Sequence, residues 1–108
     1  MIKAELALKN GLLKSCRIAG HAGLGPKGAD IVCAAVSVLA RTAYKTLSQR
    51  KGIRVECGLP ERGEFYLEIT GVKAGDRGFL TGTGEFLKEG LQSIACEFPD
   101  NCMLSIEE

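Results

Sequence analysis

The alternation of apolar and polar residues predicts a pair of strands at the start of the chain. Within residues 1–8 the apolar side chains share one parity, as expected of a half-buried strand: Ile2, Ala4, Leu6 and Leu8. Asn10-Gly11 follows and favours a tight hairpin, because both residues tolerate a positive φ. Residues 12–21 are then the expected returning strand.

The pattern changes to helical spacing and back along the rest of the chain. Apolar residues predict a helix from Asp30 to about Gln49, with Asp30 as its N-cap. The apolar residues of its first half cover more than one stripe, so we expect that half to be buried on several sides. Residues 53–59 and 64–70 alternate and are separated by PERG, which predicts a second hairpin. Residues 79–98 predict a second helix, stopped by Pro99, and residues 102–106 a last strand.

The predicted order ββαββαβ indicates a single α+β domain over residues 1–108. We expect a mainly antiparallel five-stranded sheet packed with two helices. Three glycines stand in or next to the second helix, at positions 82, 84 and 90, where each costs up to ~1 kcal/mol against alanine. Close backbone contact, within the fold or across a dimer, is a reason to keep them.

Composition narrows the class of protein without naming a partner. The 108 residues carry 14 Lys and Arg against 13 Asp and Glu, and this net charge of +1 neither requires nor excludes nucleic acid. No signal-peptide pattern is present, and no continuous apolar run approaches the ~18 residues of a membrane span. We therefore expect a cytoplasmic protein with no membrane partner.

Five cysteines are scattered through the chain without a CxxC pair, at positions 16, 33, 57, 96 and 102. An odd, widely spaced set fits neither a disulfide framework nor a structural zinc site. For all but Cys33 we expect small buried hydrophobes in a reducing compartment. We expect no metal and no cofactor.

The candidate chemistry lies in GHAGLGPKGADIVCAAVS, residues 20–37. With Asp30 as N-cap, Cys33 is the third residue inside the helix, where free N–H groups and the helix dipole favour a thiolate. His21, twelve positions earlier, is the only histidine. It would act either as an imidazolium partner of the thiolate or as a general base if the loop 22–28 brought the two together. The spacing permits this meeting and does not require it, so a catalytic pair and two structural residues both remain open.

This stretch resembles the signature of the bacterial ribosomal-processing cysteine proteases (Prp), in which a histidine and a cysteine form the catalytic dyad. His21 and Cys33 fall on those positions, and Gly20, Gly28, Asp30 and Ser37 on other motif positions. The later stretch GFLTGTGEFLKEGL is also similar to family members. The loop GLGPKG departs from the family in having two extra glycines and a proline.

The resemblance implies a peptidase that removes the N-terminal extension of large-subunit ribosomal protein number twenty-seven. The cut would fall after an aromatic residue, with apolar residues before it and basic residues after it. Cys33 would attack the scissile carbonyl, and His21 would move the proton to the leaving amine. The family also implies a homodimer, and no direct contact with nucleic acid is required.

Two supporting residues each have two interpretations. Asp30 is either the helix cap or a third member that orients His21. Ser37, one turn after Cys33, is either a core-lining or back-bonding serine or a hydroxyl that shapes the site. Gly20 precedes His21 directly.

The alternative function is a non-catalytic ribosome- or RNA-associated module with a structural Cys33. It depends on a basic cluster, which is otherwise a solvated helix end: Arg41, Lys45, Arg50, Lys51 and Arg54. An RNA platform would also need exposed aromatics, and only Tyr44 is near. A redox or metal-binding protein is disfavoured by the lack of CxxC and of a second histidine.

Overall fold

Two hairpins and a terminal strand form the sheet. The computed structural model describes residues 1–20, 28–59 and 64–108, with residues 28–30 as backbone only. Its strands are β1 (Ile2–Lys9), β2 (Leu12–Ala19), β3 (Ile53–Gly58), β4 (Phe65–Val72) and β5 (Cys102–Glu107). Its helices are α1 (Gly28–Ser48) and α2 (Arg77–Glu97), with a short 3-10 turn at Ala74–Asp76 before α2.

The order of strands across the sheet is β3-β4-β2-β1-β5. Neighbouring strands are antiparallel except β5, which pairs parallel to β1 after the α2 crossover. The prediction of a single α+β domain with a mainly antiparallel five-stranded sheet and the order ββαββαβ is confirmed. Because strands β3 and β5 are the two sheet edges, the first hairpin lies near the centre.

The first hairpin forms as its turn residues require. Asn10 and Gly11 both have positive φ, 53° and 79°, which suits a tight connection between right-twisted strands. A register shift beside Ala7 and Leu8 brings Leu13 onto the same buried face as Cys16. The strand β2 ends at Ala19, earlier than the predicted His21, because Gly20 turns the chain with a φ of 101°.

Both helices cover one face of the sheet. The buried side chains come from all five strands and both helices and form one cluster, in which Leu6, Leu13, Leu47, Leu67, Leu80, Leu87 and Leu91 are the largest. Helix α1 packs on β3 and on α2, whereas α2 packs on β2 and β5. Burial of large aliphatic side chains on this scale is the main stabilising contribution to such a domain.

Helix α1 differs from its prediction at its start and on its outer face. It begins at Gly28, two residues before Asp30, so Asp30 is not the N-cap and Cys33 is the sixth helical residue. Ile31 and Val38 are 61% and 63% exposed, so the expectation that its first half is buried on several sides is wrong. Only the side that carries Val32 and Val36 reaches the core.

By length and composition alone, α1 also resembles a membrane span, since residues Ile31–Ser48 have a mean hydropathy of 1.2. Core helices of water-soluble proteins pass the same test. The side of α1 that faces the sheet belongs to the core cluster through Val32, Val36, Ala40, Ala43 and Leu47. We therefore describe α1 as a core helix with one apolar outer stripe.

Two glycines of α2 mark close contacts inside the fold. A Cβ on Gly84 would lie 3.1 Å from Leu13 Cβ, and one on Gly90 would lie 2.8 Å from Leu39 Cδ1. Gly82 has no neighbour within 4 Å of such a Cβ. The predicted reason for these glycines is thus confirmed for Gly84 on the sheet and Gly90 on α1, and not for Gly82 within one protomer.

The side of the sheet that faces away from the helices is polar. Glu56 on the edge strand β3 pairs directly with Glu68 on β4, and Ser15 and Arg17 of β2 pair with Glu68 and Tyr66. Partial desolvation, a hydrogen bond with Glu68 and the charges of both glutamates raise the pKa of Tyr66. This face therefore has an acidic centre.

At the end where α1 stops and α2 starts, four residues form what we call the clasp: Arg50, Gly52, Asp76 and Phe79. Arg50 Nη2 and Nε donate to Asp76 Oδ1 at 2.9 and 3.2 Å, and its guanidinium lies 4.2 Å from the centre of the Phe79 ring. A Cβ on Gly52 would overlap the Asp76 carboxylate. Only glycine therefore leaves room for this ion pair.

Candidate active site

The opposite end of the molecule contains the candidate site, and chain direction explains why. Strand β2 ends there and leads to His21, and α1 begins there seven residues later. Because β3, β4 and β2 alternate in direction, the β3–β4 connection after Leu59 emerges at the same end. We call this region the thiol end, defined by Gly20, Cys33 and Leu59.

Cys33 lies in the second turn of α1, not in the first turn as predicted. Its side chain is half-buried and packs against the core cluster, between the fully buried Val32 and Val36. The field of a helix terminus falls off within the first turn, so the helix start contributes less to a Cys33 thiolate than the predicted boundary implied.

The remaining cysteines divide into two pairs. Cys16 and Cys102 are buried, as predicted, and desolvation raises the pKa of the Cys16 thiol to about 12 and also raises that of Cys102. Both stay protonated at neutral pH. Cys57 and Cys96 are exposed, so the prediction of buried hydrophobes is wrong for these two. Cys57 lies on the edge strand, and Cys96 is the last residue but one of α2.

Cys57 and Cys96 are accessible thiols as well as Cys33. Cys57 lies on the edge strand β3 and Cys96 in the last turn of α2. All five cysteines are free thiols. Cys33 differs from the other two accessible thiols in lying in the stretch of residues 20–37 that resembles the protease signature.

Several predicted site residues lie outside the described part of the chain. His21, the loop 22–27 and the side chain of Asp30 belong to this group, so the meeting of His21 with Cys33 stays a prediction. The backbone at Asp30 is helical, at the third position of α1. An aspartate in a first helical turn is favoured by the helix dipole, which explains why it does not need to be the cap.

Gly20 and Ser37 have different roles from each other. Gly20 has a φ of 101°, and a Cβ there would overlap the carbonyl oxygen of Met1. It therefore fixes the direction in which the chain leaves β2 toward His21. Ser37 is exposed one turn after Cys33, so the core-lining interpretation is wrong, while the back-bonding and site-shaping interpretations both stay open.

Metal chemistry finds no support in the described residues. Within residues 1–20, 28–59 and 64–108, no group of three or more His, Cys, Asp or Glu side chains is arranged to hold a metal ion. The described residues of this end offer a thiol and the backbone N–H donors at the start of α1.

Sequence reasoning missed one surface, an apolar groove between α1 and α2. The groove encloses about 580 Å³, and among its lining residues are Val38, Thr42, Phe79, Gly82 and Phe86. Phe86 is 74% exposed. The signal was present, because apolar residues surround the first half of α1, but these residues were interpreted as buried core and not as an exposed apolar surface.

The fold and the half-buried thiol are compatible with a small cysteine peptidase of the α+β class, and comparison with known proteins assigns the chain to that class. The sequence profile described as "Cysteine protease Prp" matches residues 1–103. The chain belongs to this Prp family of cysteine proteases. A search of the curated proteins gave no match.

Solved structures share the complete fold. The essential ribosomal processing protease Prp of S. aureus with a substrate peptide has a TM-score of 0.81 at 19% identity, covering 99% of this chain and 100% of that one. The same protease with a covalently linked product peptide has a TM-score of 0.81 at 21% identity, with the same coverage. The SMU.848 protein of Streptococcus mutans has a TM-score of 0.79 at 27% identity, covering 99% and 94%.

Proposed function

We propose that this protease removes the N-terminal extension of large-subunit ribosomal protein number twenty-seven during ribosome assembly. The observation that carries the proposal is Cys33 itself, half-buried near the start of α1 in a chain whose family is that of the cysteine protease Prp. The S. aureus protease of the same fold is described as a ribosomal processing protease and has been solved with a substrate peptide. The cut falls after an aromatic residue, between an apolar and a basic segment.

The chemistry requires a dyad of Cys33 and His21. His21 takes the proton of the Cys33 thiol, and the sulfur attacks the scissile carbonyl carbon to give a tetrahedral oxyanion. Collapse of this intermediate expels the amine, which receives the proton from His21, and leaves a thioester. Water, deprotonated by His21, then hydrolyses the thioester and restores the thiol.

Because Cys33 lies in the second turn of α1, the proposed mechanism depends more on His21 than it would if the cysteine stood at the helix start. Because the helix field is weak there, His21 supplies most of the stabilisation of the thiolate. The first N–H groups of α1, at residues 28–31, have no partner within the helix and are available to the oxyanion. Asp30 orients His21, and the exposed Ser37 shapes the wall of the site.

We further propose that the active form is a homodimer in the cytoplasm, formed through the apolar groove. Ile31, Val38 and Phe86 are all more than 60% exposed on the outer side of the helices, and the groove of about 580 Å³ lies between the last two. In a two-fold dimer, the same surface patch of each protomer contacts that of the other, so an exposed apolar patch would be covered by its own counterpart. The five free thiols suit a reducing compartment.

The dimer is tested by sedimentation equilibrium of variants on the same helices. Phe86→Glu and Val38→Glu should be monomeric at concentrations at which the native chain is dimeric. Thr81→Glu, exposed on α2 and outside the groove, is the matched control and should remain dimeric. A native chain that sediments as a monomer contradicts the proposal.

The function is tested with a synthetic peptide that spans the extension and the first basic residues after it. A Cys57→Ser/Cys96→Ser background removes the two other accessible thiols, and we expect it to cleave at the predicted bond. Adding Cys33→Ala should abolish cleavage without changing the melting temperature by more than a few degrees. Cleavage that survives Cys33→Ala would show that another group is the nucleophile.

Iodoacetamide labelling in the same background separates a catalytic from a structural Cys33. We expect Cys33 to react fastest and His21→Ala to slow the reaction, because the imidazole stabilises the thiolate. Labelling at the rate of an unfolded thiol, together with an intact peptide, would favour the non-catalytic binding module.

A further inference from the structure

A concentration of positive charge surrounds the clasp, about one helix length from Cys33. We define the basic end as the cationic residues of segments 50–54 and 70–77: Arg50, Lys51, Arg54, Lys73 and Arg77. The same segments contain one carboxylate, Asp76. Their net charge is therefore +4, so the remainder of the chain must carry −3 to give the total of +1.

The contacts between the two segments hold these charges together. The Lys73 N–H donates to the Gly52 carbonyl oxygen at 2.8 Å, next to the Arg50–Asp76 ion pair at 2.9 Å. The aliphatic part of the Arg54 side chain lies against Gly71: a Cβ placed on Gly71 would be 3.7 Å from Arg54 Cδ. The backbone that carries the cations is therefore preformed and does not have to be ordered when a partner binds.

Four of the five cations form no ion pair with the described residues. Arg50 is engaged with Asp76 and Phe79, whereas Lys51, Arg54, Lys73 and Arg77 are exposed. Like charges this close repel one another, so their clustering costs stability in the free protein. A shallow cavity of about 300 Å³ opens beside them, lined among others by Ser48, Arg54, Thr70 and the carboxylate-bearing Glu56.

The surroundings of the basic end favour a hydrated polyanion over a lipid surface. The exposed large hydrophobic residues of the described chain all lie outside the two segments: Met1, Ile31, Val38, Leu59, Phe86, Met103 and Ile106. Insertion into a membrane interface needs apolar side chains among the cations. Arg50 lies over one face of the partly buried Phe79 ring, so this ring is poorly placed to stack on a base.

We propose that the basic end binds the phosphate backbone of RNA, without base recognition, while the thiol end binds peptide. The inference adds a second binding surface to the proposed function and does not depend on the identity of the peptide. Fifteen residues of α1 separate Cys33 from Ser48, about 22 Å at 1.5 Å per residue. The two surfaces are thus far enough apart to be occupied together.

The test is fluorescence anisotropy of a labelled 20-nucleotide single-stranded RNA at low salt. We expect binding whose affinity falls with salt at a logarithmic slope no steeper than about −3, since four exposed cations contribute about −0.7 each. Lys51→Glu/Lys73→Glu/Arg77→Glu should weaken binding at least tenfold. The matched control, Lys3→Glu/Lys9→Glu/Lys14→Glu, makes the same change of net charge at three exposed lysines elsewhere and should bind nearly as the native chain does.

Three outcomes would overturn the inference. One is the absence of RNA binding at about 50 mM salt, and another is equal weakening by both triple variants, which would show that only net charge matters. The third is binding to polyglutamate or to vesicles of anionic lipid but not to RNA. Peptide cleavage by the same variants is measured in parallel, and its retention shows that a failure of RNA binding leaves the proposed protease function intact.

Discussion

The two ends of helix α1 differ in what surrounds them. At the far end, the segments that follow α1 and precede α2 are joined by an ion pair in which two Arg50 N–H groups donate to one Asp76 oxygen. Arg50 also lies over the Phe79 ring, and Gly52 leaves room for the Asp76 carboxylate. At the thiol end, α1 carries a half-buried cysteine between two fully buried valines. The clasp therefore adds a local contact at the end away from the proposed peptide chemistry, whereas Cys33 is held by packing against the shared core.

The largest expected effect is confined to the thiol end. His21→Ala, Cys33→Ala and the double variant should each lower kcat/KM for the peptide by at least about 10³-fold, because residues that act as one unit are not additive. The measurement is cleavage rate with thermal melting as a control for folding. Losses that multiply in the double variant would contradict a dyad.

The next largest effect is a pH dependence of stability that arises in the hydrophobic core, at Cys16. Burial raises the pKa of Cys16 from about 9 to about 12, so between these values the thiol is protonated in the folded chain and ionised in the unfolded chain. The free energy of unfolding should be retained below pH 9 and fall by about 1.4 kcal/mol per pH unit above it, or about 2 kcal/mol by pH 10.5.

Urea unfolding of Cys16→Val and of Cys96→Val at pH 8 and pH 10.5 measures this dependence. Replacement of the buried Cys16 should flatten the loss of stability, whereas replacement of the exposed Cys96 should not. Equal pH dependence in both variants would show that ionisation of Cys16 does not limit stability.

A smaller effect on stability is expected from substitutions in the clasp, at the end of the molecule opposite Cys33. Gly52→Ala places a methyl group on the Asp76 carboxylate, and Asp76→Ala removes the partner of Arg50. We expect each to lower the free energy of unfolding by about 1 kcal/mol, the value of a partly exposed ion pair with charged hydrogen bonds. Both should leave kcat/KM for the peptide unchanged.

Gly75→Ala is the matched control for the clasp, because a Cβ there has no neighbour within 4 Å. A change in kcat/KM on breaking the clasp would show that the two ends of the molecule are coupled and do not act independently.

The smallest effect separates two glycines of α2. Gly82→Ala should stabilise the fold of the single protomer by about 0.5–1 kcal/mol, the difference in helix propensity, because no atom of the same chain lies within 4 Å of its Cβ. Gly84→Ala gains the same propensity but presses on Leu13 Cβ at 3.1 Å, so it should be less stable than Gly82→Ala. Thermal unfolding measures the stability of both variants. Equal stabilities would mean that β2 shifts away from the added methyl group at no energetic cost.

Local sequence signals predicted most of the fold. The Asn10-Gly11 turn, the alternating strands and the stop before Pro99 depend on neighbours in the chain, and these predictions are confirmed apart from shifts of one or two residues. The start of α1 was misplaced because Gly28 and Ala29 carry no capping side chain, whereas Asp30 resembles a cap. That shift moved Cys33 from the first turn to the second.

The remaining features depend on residues far apart in the chain. Arg50 and Asp76 are 26 positions apart, and no local pattern pairs them. The apolar outer stripe of α1 has the same composition as a buried stripe, so exposure of Ile31 and Val38 was not visible in the periodicity. Family resemblance identified the candidate dyad, while its geometry at His21 lies outside the described residues.

The paired glutamates on the outer face have a consequence for the solubility of the chain. Strand β3 is a sheet edge with unpaired backbone groups on one side, and such edges recruit strands from other molecules. Another copy approaching this edge in the same manner would bring its own Glu56 toward the Glu56–Glu68 pair. The repulsion that weakens one cross-strand pair in the folded chain thus discourages edge-to-edge aggregation at the concentrations at which the protein is made.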